Sequence, residues 1–143
     1  MQIHVWTGLK YVPQEVYENM QTESSLDALK TVRKQQCERV YYEHLLAGYY
    51  DSTLAMRLAA TQHDQNVFGN YSVKLMQEET ADNALLLIAD SDGGIHEMTY
   101  SAFKGLMKRY SDWCLQEWAM LAFARNAIAV AQDEIALEAI VYE

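Results

Sequence analysis

The 143 residues, half of them apolar and 22% charged, suffice for one domain that buries about two-thirds of its unfolded surface without a disulfide or metal staple. Three Trp, ten Tyr and three Phe against one Pro and six Gly exclude a disordered, collagen-like or linker-dominated chain. A formal charge of −9, from 20 acids and 11 bases, argues against a nucleic-acid partner, because phosphate contacts need clustered Lys and Arg.

The elements follow in chain order. Gln2 to Trp6 alternates polar and apolar side chains before Gly8, the period of a short half-buried strand. Pro13 suits the first turn of a helix, so Gln14 to Met20 reads as a short helix interrupted by the polar run Gln21 to Ser25. Ser24 with Asp27 then opens a second helix, from Ser25 to about Ala47, that Gly48 closes. Its middle, Arg33 to Gln36, is polar, so its apolar character is confined to its ends. Tyr49 to Met56 is compatible with an extended segment or short strand. Around Gly48 the pairs Tyr41-Tyr42 and Tyr49-Tyr50 are each expected to place one ring in the core and one at the surface.

Thr61 with Asp64 three residues on is a capping pair that opens a helix to about Thr80, slightly weakened by Gly69. The clearest local signal is Ala84 to Ala89, then Asp90-Ser91-Asp92-Gly93-Gly94, then Ile95 to Met98: a β-hairpin around a turn that demands positive φ. Thr99 caps the next helix, from Tyr100 to about Gln132, with Phe103, Met107, Tyr110, Cys114, Trp118, Leu121 and Ile128 at core spacing. Beyond Trp118 this helix is apolar nearly all round, so its distal half is expected to be enclosed by the domain or by another subunit. Asp133 to Ile140 adds one or two helical turns. The expected fold class is α+β: helix-dominated, with a long C-terminal helix and a small β-hairpin or sheet.

Residues with catalytic potential do not assemble into a motif. The Asp90 to Gly94 run superficially resembles a calcium loop, but the twelfth position, which needs a bidentate Glu, holds Ser101. His4, His44, His63 and His96 fall on different elements without metal spacing. Cys37 and Cys114 belong to no CxxC pair, which fits buried thiols in a reducing compartment. No nucleophile elbow, phosphate loop or dinucleotide fingerprint occurs. Neither enzyme activity nor a cofactor or bound metal is expected. The N-terminus carries no apolar run of signal-peptide length, and the stretch from Trp118 to Ala131 contains Arg125 and is too short for a bilayer, so neither export nor a membrane is expected.

From about Arg39 onward the order of signals resembles a domain family of unknown biochemical function found mostly in tail-region proteins of bacteriophages and prophages. The features that carry it are Ala47-Gly48, Leu54 to Leu58, the hairpin Leu87 to His96, Met98 to Phe103, Leu106-Met107 with Tyr110, and Ala127 to Ala131 before a short closing helix. The resemblance implies a structural or assembly module of the tail that attaches to, caps or chaperones a fibre or baseplate protein, in the virion tail or in the host cytoplasm during assembly. It attributes no catalytic residue to the family.

Residues 1–38, which do not match, are expected to form a strand and helix that either dock on a partner or serve the fold, the strand pairing with the Leu85 to Ile88 hairpin and the helix completing the core; 39–143 are expected to form the tail-associated domain. The partner-binding candidates are Trp6, Tyr11, Tyr17 and Met20 in the first segment and Trp118 and Phe123 in the long helix. A homo-oligomer is expected from the apolar helix. The acidic balance supports an alternative, a phage protein that inhibits a host defence enzyme.

Overall fold

The computed structural model describes the backbone of residues 4–6 and 11–143, and side chains from residue 25 onward. The expected side-chain roles of Trp6, Tyr11, Tyr17 and Met20 therefore lie outside the described residues. The fold is α+β and helix-rich, with a long C-terminal helix. In order it runs β1 (His4–Trp6), β2 (Tyr11–Pro13), α1 (Gln14–Ala47), β3 (Tyr49–Asp51), β4 (Met56–Leu58), α2 (Gln62–Gln77), β5 (Leu85–Ala89), β6 (Ile95–Thr99), α3 (Tyr100–Val130) and α4 (Glu134–Glu138). The strands pair as three antiparallel two-stranded sheets, β1 with β2, β3 with β4 and β5 with β6. The chain divides into two compact units, 38–122 and the combination of 1–37 with 123–143.

In the 38–122 unit the core gathers around α3. Phe103 and Leu106 are fully buried, Tyr110 nearly so, and they share a core with Leu58 of β4, Ala60 just beyond it, Leu86 and Ile88 of β5, and Leu75 of α2. Burial alternates along β5, as a strand with one covered face requires. The β5–β6 register is Leu85 opposite Thr99 through Ala89 opposite Ile95. Asp90 closes the turn: its Oδ1 accepts from the Asp92 and Gly94 amides at 2.9 and 2.7 Å, and Gly93 takes φ +87°. The expected hairpin and its Asp/Gly turn are thus present.

Helix α2 starts at the expected cap. Thr61 Oγ1 accepts from the Asp64 amide, and the Asp64 carboxylate accepts in turn from the Thr61 amide at 3.1 Å, a complete capping box. It ends three residues before the expected Thr80. The Glu79 amide donates to Met76 O and the Thr80 amide to Leu75 O, with Glu79 at φ +53°, a Schellman ending built without glycine. At the start of α3, the Ala102 amide donates to Thr99 Oγ1 at 3.2 Å.

One expectation is corrected and one is extended. Gln14 to Ala47 is one continuous helix, with no interruption at Gln21 to Ser25. That run is polar but holds no Gly or Pro, and polarity alone does not break a helix. The extended segment or short strand expected over Tyr49 to Met56 is present as β3, but it turns back at Leu54-Ala55 into a second strand, a complete hairpin with Tyr49 opposite Leu58 and Asp51 opposite Met56. Its turn lacks the usual Asn-Gly or Gly-Gly and is closed by Ala55 at φ +52°. The tyrosine pairs divide as expected: Tyr41 and Tyr49 pack on the core, while Tyr42 and Tyr50 are exposed.

In the other unit, β1 pairs with β2, His4 opposite Pro13, and not with the β5–β6 hairpin. Ile128 and Leu137 are buried there, as is Cys37. Two cationic side chains of α1 reach distant carbonyls: Lys30 Nζ donates to Ala129 O at 3.1 Å, and Arg33 Nη2 donates to Ile140 O beyond α4. Asp133 caps α4 by accepting from the Ala136 amide at 2.8 Å.

Candidate functional site

In the 38–122 unit an open groove of about 900 Å³ follows the seam of α2 and α3. Two edge-to-face ring pairs set that seam, Tyr71 on Phe103 at 5.4 Å and Phe68 on Tyr110 at 5.3 Å. Because the later α2 residue meets the earlier α3 residue, the two helices run antiparallel there. One wall is the α2 row Gln62, Gln65, Gly69 and Ser72; the other is the α3 row Lys104, Lys108, Ser111, Leu115 and Trp118. Both rows repeat at three to four residues, which keeps each on one helix face. The floor is apolar, with Phe68, Met107 and Cys114.

Trp118 and Leu115 at the mouth are 58% and 65% exposed, an unusual placement for side chains this large. No acidic residue is among the described residues that line the groove. Lys104 reaches outward to Asp82, Nζ to Oδ1 at 2.6 Å, and covers the Tyr100 ring at 4.7 Å. Lys108 is exposed and has no ion pair among the described residues. Burial, with Glu117 adding, pushes the Cys114 thiol up to about 11, so at neutral pH it is a protonated apolar surface and not a nucleophile.

Three further polar clusters are built for structure. Asp51 is fully buried at the end of β3. Its carboxylate accepts from Arg109 Nε and Nη2 at 2.7 and 3.2 Å, from the Tyr49 hydroxyl at 2.8 Å and from the Leu54 amide at 2.8 Å. The Arg109 hydrogen bonds hold the Asp51 carboxyl below its ordinary range, with Tyr49 and Leu54 adding. Burial and the adjacent Asp51 raise the Tyr49 hydroxyl, so neither group is poised for proton transfer near neutrality. At the second hairpin His96 Nε2 lies 2.7 Å from Asp90 Oδ2, and that contact is the main reason the Asp90 carboxyl falls below its usual value. His44 Nδ1 stands 2.9 Å from Glu117 Oε2. His96 and His44 thus each face a carboxylate, and no group of three or more metal-ligating side chains occurs among the described residues.

Of the side chains expected to bind a partner, Trp118 borders the groove, and Phe123, in the other unit, is 76% exposed. The distal half of α3 is covered on one face only: Leu121, Ala124 and Ile128 are buried while Val130 is open. No helix of the described residues is long and apolar enough to cross a membrane. Gly69, Met107 and Lys108 line the groove and went unmarked as site candidates in the sequence. The available signal was Gly69, a glycine inside a helix that no turn required.

No family model, no curated protein and no solved structure matches this chain.

Proposed function

We propose that this chain is a bacteriophage tail-region structural or assembly protein that works by binding other proteins, attaching to, capping or chaperoning a fibre or baseplate component. One observation carries the binding role. The α2–α3 groove leaves Trp118 and Leu115 largely exposed beside an apolar floor, and large exposed apolar side chains around a concavity mark association surfaces. The tail assignment rests on the sequence resemblance of residues 39–143. Self-association through the exposed Phe123 and Val130 belongs to the same reading. Action in the virion tail, or in the host cytoplasm during assembly, follows from it.

Mass spectrometry of purified virions, together with affinity capture of the tagged chain from infected cells, tests the reading. Fibre or baseplate proteins recovered with the chain support it; a chain absent from both virions and tail intermediates overturns it. The charge of −9 favours a second reading, an inhibitor of a host defence enzyme. That protein would be made early in infection and captured with a host enzyme.

A further inference from the structure

We propose that the α2–α3 groove seats one amphipathic helix of a partner protein, a helix that carries carboxylates beside its apolar face and a small residue where it crosses Gly69. This rests on the reading of the chain as a protein-binding module and names the chemistry of what it binds.

Shape selects an elongated occupant. At 1.5 Å per helical residue the α2 wall, Gln62 to Ser72, runs about 15 Å and the α3 wall, Lys104 to Trp118, about 21 Å. That length suits three to four turns of helix. Backbone chemistry selects a helix over a strand. Both walls are helices whose amides and carbonyls are internally paired, so an added strand would find no main-chain partners, whereas a helix satisfies its own.

Gly69 supplies the independent observation. A glycine in a helix interior costs about 1 kcal/mol relative to alanine, yet a Cβ built there meets nothing within 4 Å among the described residues and no positive φ requires the residue. Packing among the described residues does not account for it. A bare backbone on a groove wall does account for it if another helix crosses closely at that point, as small residues allow at helix contacts.

Charge selects the flanks. In a chain of net charge −9 the groove lining has two lysines and no acid among the described residues. Lys104 is already held by Asp82, so Lys108 is the cation left for an incoming carboxylate.

The probe is a display library of helical peptides about 16 residues long, four turns, panned against the full chain. The expected selection has apolar side chains at i, i+3, i+4 and i+7, a small residue among them, and an excess of Glu and Asp. Selected peptides should bind Gly69→Leu at least about tenfold more weakly, although the variant melts no lower than the parent. Lys108→Glu should weaken acidic peptides and favour their lysine-substituted counterparts. Peptides without acidic excess, or affinities indifferent to both substitutions, overturn the proposal. So does self-association of the chain that Gly69→Leu abolishes, which would place a second copy in the groove. If Gly69→Leu still enters tail intermediates, the groove assignment fails and the tail reading stands; if groove peptides bind as expected while the chain is absent from tails, the reverse holds.

Discussion

Arg109 and Asp51 lie 58 positions apart, yet the guanidinium grips the fully buried carboxylate through two hydrogen bonds of 2.7 and 3.2 Å. This pair ties α3 to the end of β3, and the same carboxylate shapes the following turn through the Leu54 amide. Arg109→Leu would leave a buried charge without its cation. The expected loss is about 2 to 3 kcal/mol, below the usual range for a broken buried pair because the arginine is part-exposed. Exchanging both partners for Leu and Met should cost less than Arg109→Leu alone. Chemical denaturation of the single and double variants measures both quantities.

The same pair sets an acid limit. Asp51 has a depressed carboxyl in the fold, chiefly through Arg109, so its contribution is complete above the unfolded value near pH 4 and disappears as pH falls through the folded value. Asp90, depressed chiefly through His96, acts in the same direction. Melting temperature should fall steeply below about pH 4, and Arg109→Leu should shorten that descent by removing the largest cause of the Asp51 shift. An unchanged acid limb in the variant would show that other carboxylates dominate.

Three glycines should respond differently to alanine. At Gly48, φ is +86° and a Cβ would stand 2.3 Å from Leu58 O, a backbone atom that cannot swing aside. Gly48→Ala should cost about 3 kcal/mol or more, combining left-handed strain with overpacking. Gly93, at φ +87° with nothing within 4 Å, should cost only about 1 to 2 kcal/mol. Gly69→Ala should stabilise the isolated chain by about 1 kcal/mol. Thermal melts of the three variants establish the order.

Calcium and zinc should leave the melting temperature unchanged. Asp90 already spends Oδ1 on the Asp92 and Gly94 amides and Oδ2 on His96, so it offers a cation little. A metal that bound only the folded chain would raise the melting temperature. Asp90→Ala should lower it instead, since the turn loses three hydrogen-bond acceptances.

Trp118 and Leu115 should tolerate polar substitution in the isolated chain. Both are mostly exposed, so Trp118→Gln and Leu115→Gln should shift stability by no more than about 0.5 kcal/mol. Capture of tail proteins by the same variants should fall about tenfold or more, as loss of a large aromatic anchor implies. A large drop in melting temperature would reveal these side chains as structural.

What the sequence determined by itself were the features whose cause lies within a few residues. Thr61 and Asp64 cap α2 because a side chain and an amide three positions apart meet in any helix start. Asp90 to Gly94 closes the β5–β6 turn because those residues accept the dihedrals a tight turn imposes. The long α3 was legible on the same grounds, as was the division of each tyrosine pair between core and surface, whereas which ring turns inward, Tyr41 and Tyr49, was not. Tertiary structure decided the rest. Ala55 carries no local preference for positive φ, and it is held there in a hairpin stapled by Asp51, whose main partner comes from α3. The groove likewise belongs to no single segment: core packing between the helices, with Tyr71 on Phe103 and Phe68 on Tyr110, brings the Gly69 row beside the Lys108 row. Local signals act through bonds a turn apart, whereas a binding surface depends on which distant faces the buried core draws together.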